Sequence, residues 1–409
     1  MTVNYAELDR PTGSWVRDKL FMGQSFGEYM RSLLTPFNAI AAIILAVGIP
    51  VAIVRFTQGL AATTNLSNTN PWGLWIGVDV LSGVALAAGG YVMATAVHIF
   101  GLKDYRPIVR PAILTGFLGY FFVVVGLGFD LGRPWRLPYP ILVSYGVTSV
   151  MFLVGWHVLL YLTCQFIEFC PTVFEWLGWK KVRAWVAKLT VGATVAGVML
   201  STLHQSALGG LFLLMPAKLH PLWYTPLIPL LFFVSSIIAG LTMVIVESSL
   251  SHRIFSWQVG NGHQAQLDRL TLGLGKAASL VLFTYFWLKI LGVVHADAWA
   301  YLDTPLGGWW MVEMFGFVLL PCFLLLWAAR NGNAGLVRLG AAIAVLGIVL
   351  NRLNVSVIAF NWNATDRYVP AWTEVMITIT IITVAVLAFR WIVNRMPVLR
   401  DHPAFPADH

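Results

Sequence analysis

His204, Gln205 and the hydroxyls of Ser201, Thr202 and Ser206 fall in one short stretch, Ser201 to Leu211, where a long apolar run meets a loop. Polar side chains in apolar surroundings are costly unless they find partners. This set must therefore hold either itself or a ligand. An imidazole binds a carbonyl oxygen and delivers a proton to it. The amide of Gln205 and the hydroxyl of Ser206 complete such a contact, and Ala207, Gly209 and Gly210 leave room for a planar ring. A quinone head group is the ligand that suits them.

A second group of reactive side chains surrounds Asp79, which sits inside an apolar run that opens with Asn70-Pro71-Trp72-Gly73-Leu74-Trp75. A carboxyl at such a depth is expensive and marks a proton pathway or a pocket wall. Its bland alternative is a buried carboxyl paired with a neighbouring helix. Asp130 and Arg133 close the next run, either as a local ion pair before Pro134 or as part of the pocket rim. Trp72 and Trp75 line the pocket on this reading, although interfacial tryptophans are commonly only an anchoring belt. His98 and His157 lie deeper. They fall at different depths, which makes them poor axial partners for a haem and better stations on a proton route that leads inward from Asp79. Arg352 and Glu374, on consecutive antiparallel helices, are expected to pair, and Glu168, Glu247 and Glu313 are expected at solvated helix ends.

The elements that must position these residues are transmembrane helices. Of 409 residues, 58% are hydrophobic and 11% charged, with a mean hydropathy of +0.76. A soluble domain carries roughly 25% charged residues. Runs long enough to cross a bilayer, ~20 residues each, fall near residues 37–58, 74–100, 110–130, 142–169, 186–204, 224–248, 272–294, 308–329, 336–360 and 370–394. The fold class is therefore all-α, a polytopic membrane protein of ten helices. Residues 1–36 form a polar segment without a signal-peptide pattern, in which Trp15–Leu34 reads as an interfacial amphipathic helix, and residues 395–409 form a tail.

Of the 26 lysines and arginines, 19 fall at one set of helix ends, among them Lys103, Arg110, Lys180, Arg183, Arg338 and Arg395. The positive-inside bias makes that side, and both termini, cytoplasmic. It also accounts for the net charge of +8 without nucleic acid. Asp79, Asp130 and His204 then lie toward the extracytoplasmic face. Cys164, Cys170 and Cys322 have no spacing that would bind iron–sulfur or zinc. No metal ligand set is expected, and no haem or iron–sulfur cluster in this chain.

Pro71-Trp72-Gly73-Leu74-Trp75-Ile76 with Asp79, Val109-Arg110-Pro111-Ala112, Asp130 with Gly132-Arg133, Pro138-Tyr139, Leu177-Gly178-Trp179-Lys180, His204-Gln205-Ser206, His220-Pro221-Leu222-Trp223, and Arg352 followed by Ala359-Phe360-Asn361 together carry a resemblance. On these motifs the chain resembles the polysulfide-reductase membrane-subunit family of the NrfD/PsrC type. Within it, the chain is similar to the ten-helix branch of HybB-type hydrogenase subunits, and most of all to Qrc-type menaquinone reductase membrane subunits. The resemblance implies two four-helix bundles, helices 2–5 and 6–9, flanked by helices 1 and 10. It also implies a quinone site near the periplasmic surface of the bacterial inner membrane and a docked ferredoxin-like iron–sulfur partner subunit. Gly155-Trp156-His157 departs from the hydrogenase subunits, so their proton route does not transfer simply.

The expected function is reduction of menaquinone with electrons from that partner, with protons conducted from the cytoplasm. Asp79, His204, His98 and His157 handle the protons, and Trp72, Trp75, Asp130, Arg133, Gln205 and Ser206 form the pocket. The chain alone should be inactive. A HybB-type hydrogenase subunit is the near alternative. A secondary transporter would show inverted repeats and helices broken at mid-membrane, and a passive anchor would need neither Asp79 nor His204.

Overall fold

The structure is a computed structural model that describes residues 13–258, 263–400 and Phe405. The outer parts of the two terminal segments set out above, residues 1–12, 401–404 and 406–409, lie outside the described residues. The described chain is helical, without strands, and ten helices are long and apolar enough to cross a membrane. They are α1 Pro36–Gln58, α2 Trp75–Ile99, α3 Lys103–Asp130, α4 Val150–Leu177, α5 Lys180–Leu213, α6 Ile228–Ile254, α7 Gln264–His295, α8 Pro305–Arg330, α9 Ala334–Ile358 and α10 Trp372–Arg395. In hydrocarbon every backbone amide must bond within its own segment, so an apolar run of this length has no stable alternative to a helix. The chain is an integral membrane protein.

Local signals set the ends. Thr35 caps α1, its hydroxyl accepting from the Asn38 amide at 3.2 Å, with Pro36 in the first turn. Ser149 caps α4 in the same way, and Gly178, at φ 77°, ends it. Several expected boundaries move, and the far-shifted ends of α4 and α5 have a visible cause. The fourth helix runs over 150–177 rather than 142–169: the Ser149 cap sets the later start, and the polar terminal turn is satisfied, since Glu175 is fully buried and pairs with Arg110 at 3.1 Å and Arg183 at 3.2 Å. The fifth helix extends to Leu213 instead of stopping at His204, because His204 and Gln205 find partners inside the protein.

Helices α2–α5 close into one four-helix bundle and α6–α9 into a second. The two share an interface of α6 against α2 and α5, while α1 and α10 pack on each other and against α3. We call the end that carries most of the lysines and arginines the basic end, and the other the far end. At the far end three connections are knitted together. Leu219 bridges Phe360, the His220 amide donates to the Ala359 carbonyl at 3.0 Å, and the Asn361 side chain donates to the Thr69 carbonyl. The expected amphipathic helix over 15–34 is two short helices, Trp15–Lys19 and Phe26–Ser32, because Met22 and Gly23 both take positive φ. The pair is tied to the basic end through Arg395, which bonds the Leu20 carbonyl and the Tyr29 hydroxyl at 2.8 Å each.

Candidate functional site

The candidate residues separate into two buried groups, with α3 serving both. The first group lies between α1, α2, α3 and α10, toward the far end. Trp75 to Ser82 of α2 is π-helical, and Asp79 sits in the middle of that stretch, 8% exposed. Widened turns of this kind recur at functional sites because they re-aim a side chain out of the α-helical register. Here the carboxylate is aimed at α10, where Thr378 donates to its Oδ2 at 2.8 Å. Gly126 of α3 lies directly against it: a Cβ there would come within 2.8 Å of the Asp79 Cβ. Trp75 is buried behind it, donating to the Glu374 carbonyl at 3.1 Å and packing on Phe129.

Asp130 belongs to this group, but its ionic neighbour is not the expected one. Among the described residues Arg133 makes no ion pair with Asp130; it is exposed in the connection that follows. The nearby cation is Arg55 of α1, 2% exposed, whose guanidinium donates to the carbonyls of Phe129 at 2.7 Å and Leu131 at 2.8 Å. Arg55 thereby satisfies the open C-terminal carbonyls of α3. The buried Oδ1 of Asp130 has no hydrogen-bond partner.

Glu374, expected to pair with Arg352, instead caps the start of α10. It accepts from the Tyr368 hydroxyl and from the amides of Asn65 at 2.8 Å and Ala371 at 3.2 Å. Burial and that carboxylate push the Tyr368 hydroxyl up, which keeps it a proton donor. Trp72 stands apart from the Asp79 group. It stacks on Phe360 with centroids 5.2 Å apart and stands edge-on to Phe212, under the knitted connections.

The second group lies inside the α2–α5 bundle around His204, which is completely buried. Its Nδ1 is 2.8 Å from the Leu200 carbonyl, an acceptor, so Nδ1 carries the proton. Nε2 is then the acceptor for the Tyr120 hydroxyl at 2.5 Å. Gln205 donates to the Val84 carbonyl at 3.0 Å and to the Tyr120 oxygen at 3.2 Å. The expected mouth of a helix is thus an interior network nine residues before the end of α5, with both imidazole nitrogens occupied by protein. Nor is Gly209 space for a ring. It faces the backbone of α6, where a Cβ would lie 2.7 Å from the Ile228 carbonyl. Ser206 is half-buried beside the network.

His157 moves with its helix. As the eighth residue of α4 it lies near the far end, close enough to His204 for their charges to interact, rather than at mid-membrane. His98 is exposed at the basic end of α2. From the His204 network a polar stripe descends α4 at spacings of four, three, four and three: Tyr161, Gln165, Glu168, Thr172, Glu175. That is one helical face. Tyr161 packs edge-on against Tyr120 at 4.6 Å, Gln165 donates to the Tyr161 hydroxyl at 2.9 Å, and Thr194 donates to Glu168 at 2.5 Å. The stripe covers ~21 Å of helix at ~1.5 Å per residue and ends on the Arg110–Glu175–Arg183 cluster of the basic end.

The second bundle has its own buried charges, which also correct the expectation of solvated helix ends. Glu313, 1% exposed, accepts from Trp223 at 2.7 Å, from Asn351 at 2.7 Å and from Asn354. Arg352 turns inward to Ser235 at 2.7 Å and lies over the Phe232 ring at 3.8 Å. Glu168 and Glu247 likewise lie within their helices, and Glu247 accepts from Ser251 at 2.7 Å.

Sequence reasoning missed Tyr120, Thr378 and Arg55. A tyrosine within an apolar run beside Gly119 was a legible signal for the first, and an arginine one turn before a helix end for the last. Thr378 carried none, since its partner lies 299 residues away.

A family profile described as "Polysulphide reductase, NrfD" matches residues 62–361. A protein of Nitratidesulfovibrio vulgaris is 51% identical over 381 residues, 93% of this chain and 98% of the relative. The "Probable Ni/Fe-hydrogenase 2 b-type cytochrome subunit" of Escherichia coli is 31% identical over 353 residues, 85% of this chain and 88% of the relative. The "Menaquinone reductase, integral membrane subunit" of Nitratidesulfovibrio vulgaris is 25% identical over 391 residues, 86% of this chain and 88% of the relative. With the profile covering most of the ten-helix region and these relatives matching nearly end to end, the chain belongs to the polysulphide reductase NrfD family of integral membrane proteins.

Proposed function

We propose that this chain is the quinone-binding membrane subunit of a respiratory oxidoreductase complex. It takes electrons from a partner's iron–sulfur subunit and reduces menaquinone at the far end, which faces the periplasm across the inner membrane, with both termini cytoplasmic. The observation that carries this reading is Asp79. It is a buried carboxyl in a π-helical turn, bonded across to α10, beside a second carboxyl, Asp130, that keeps a lone acceptor oxygen. Intramembrane carboxyls of this kind handle protons, and quinone reduction consumes two. The named relatives, a hydrogenase subunit and a menaquinone reductase subunit, favour electron transfer over transport.

In this reading the quinone head lies beside Asp79 and Asp130, with Trp75 as its apolar wall. Arg55 holds the end of α3, and thereby Asp130, in place. His204 acts through Tyr120, passing protons rather than gripping the ring, because each of its nitrogens is already engaged. Protons reach that network along the α4 stripe from Glu175 through Glu168, in place of the route from His98 along α2. His98, at the basic end of α2, and His157, near the far end of α4, lie at opposite ends of their helices, and no step here uses haem.

The test is equilibrium binding of menaquinone to the purified complex in nanodiscs. Saturable binding that weakens about tenfold or more in Trp75→Ala, a loss of ~1.4 kcal/mol, supports the reading. Absence of saturable binding to the intact complex removes it.

A further inference from the structure

A cavity of about 490 Å³ runs between α1, α3 and α10. It is a side crevice, open toward where the lipid lies, within the range of ligand pockets, roughly 300–1,000 Å³. Ile49, Ile53 and Phe56 of α1, Phe122 and Phe129 of α3, and Val384 of α10 form its walls. It contains no exposed polar atom. Even its two threonines turn their hydroxyls into their own helices: Thr57 donates to the Ile53 carbonyl at 2.8 Å and Thr380 to the Met376 carbonyl at 2.7 Å. Such a surface suits a hydrocarbon chain and nothing that needs a hydrogen bond.

Its head end says which hydrocarbon. Phe129 closes the crevice on one side and packs on Trp75 on the other, with centroids 6.2 Å apart. Phe56 meets Phe129 at 4.8 Å, and the Arg55 guanidinium lies 5.5 Å from the Phe56 ring centre while bonding the Phe129 carbonyl. On α3 the residues alternate between the two places: Phe122, Val125 and Phe129 face the crevice, and Gly126 faces Asp79. One helix turn therefore separates a dry groove open to the bilayer from the buried carboxyl. Along α1 the groove extends from Ile49 to Thr57, ~12 Å at ~1.5 Å per residue.

We propose that this crevice holds the isoprenoid tail of the quinone, with Phe129 as the partition between tail and head group. The inference rests on the quinone reading above. A phospholipid acyl chain would fill the same groove but gives no reason for its wall residue Phe129 to pack on Trp75, one helix turn from Asp79.

The test compares two probes on the assembled complex in nanodiscs: menaquinone with a multi-isoprene tail, and the tailless 2-methyl-1,4-naphthoquinone. Ala52, which lines the crevice, is replaced by Trp to fill it. The tailed quinone should lose at least about tenfold in affinity, the worth of roughly two buried methylenes, while the tailless one binds as before. Ala52→Val should lie between. A photoreactive group on the tail should label peptides of α1, α3 and α10. Equal loss of both probes in Ala52→Trp, no loss of either, or labelling confined to other helices overturns the tail assignment. So does recovery of a tightly held phospholipid whose acyl chain labels the same three helices in the presence of saturating menaquinone. Failure of both probes to bind the unaltered complex instead overturns the quinone reading on which the inference depends.

Discussion

Replacing Asp79 with Asn separates proton chemistry from structure, because the side chain keeps its size. The Asn carbonyl oxygen still accepts from Thr378, now as a neutral bond, so the stability change stays within ~1 kcal/mol, the net worth of one hydrogen bond. Gly126 packs directly against the base of the Asp79 side chain, which an Asn keeps unchanged. What is lost is titration. A positioned acid or base contributes ~10² or more to rate, and two tenfold steps at ~1.36 kcal/mol each raise the barrier by ~2.7 kcal/mol. The assay is steady-state menaquinone reduction by the intact complex, with quinone affinity and thermal unfolding measured on the same preparation. The expected result is turnover reduced ~10²-fold, with affinity and unfolding nearly unchanged. Thr378→Val is the companion variant: it removes the hydrogen bond but leaves a titrating carboxyl, and should keep most of the turnover. Normal turnover in Asp79→Asn would refute the proton role. Equal losses of turnover and of stability in both variants would make Asp79 a structural partner only.

Tyr120→Phe leaves the buried Nε2 of His204 and one Gln205 donor bond unmade, at a cost of ~1–3 kcal/mol. Thermal unfolding in detergent should show it, and an unchanged transition would mean the network is not set as described. Glu168→Gln retains an acceptor for Thr194 but cannot carry a proton. Quinone reduction should slow by about tenfold or more while quinone affinity holds, and full activity would take the α4 stripe out of the proton route. His220 lies in the far-end connection, its ring packed by Trp223, Tyr301 and Trp362, and burial pushes it down to about 4. The unfolded chain, with an ordinary histidine, binds the proton first as pH falls below about 6.5. Stability should therefore decline from there toward pH 4, level off below, and lose part of that slope in His220→Asn. A slope identical in both proteins would contradict the neutral buried state.

Most of the fold was legible because a bilayer leaves a long apolar run only one structure. Ten runs gave ten helices, and family motifs gave the two bundles. The C-terminal ends of α4 and α5 moved for one reason. A polar residue ends a run in the sequence, but Glu175, His204 and Gln205 carry their helices onward once a partner from another helix satisfies them. The candidate site was legible as a set of residue types and not as an arrangement. Asp79 and His204 stood out as candidates because each is anomalous in its run. Whether they meet depends on helix rotation, which a single chain does not display, and the two prove to sit on different sides of α3. Pairings read from proximity along the chain, Asp130 with Arg133 and Arg352 with Glu374 on the next helix, gave way to other partners: Arg55 beside Asp130, Asn351 and Ser235 on Arg352, Tyr368 on Glu374.

The most direct test of the proposed quinone site is made on the iron–sulfur clusters of the proposed partner subunit. The purified complex is reduced, menaquinone is added, and reoxidation of the iron–sulfur clusters is followed optically, with and without this chain. Rapid reoxidation that requires the chain, and slows when Trp75 is replaced by Ala, is the predicted result. Reoxidation at the same rate in a complex lacking the chain would place the quinone site elsewhere and contradict the account.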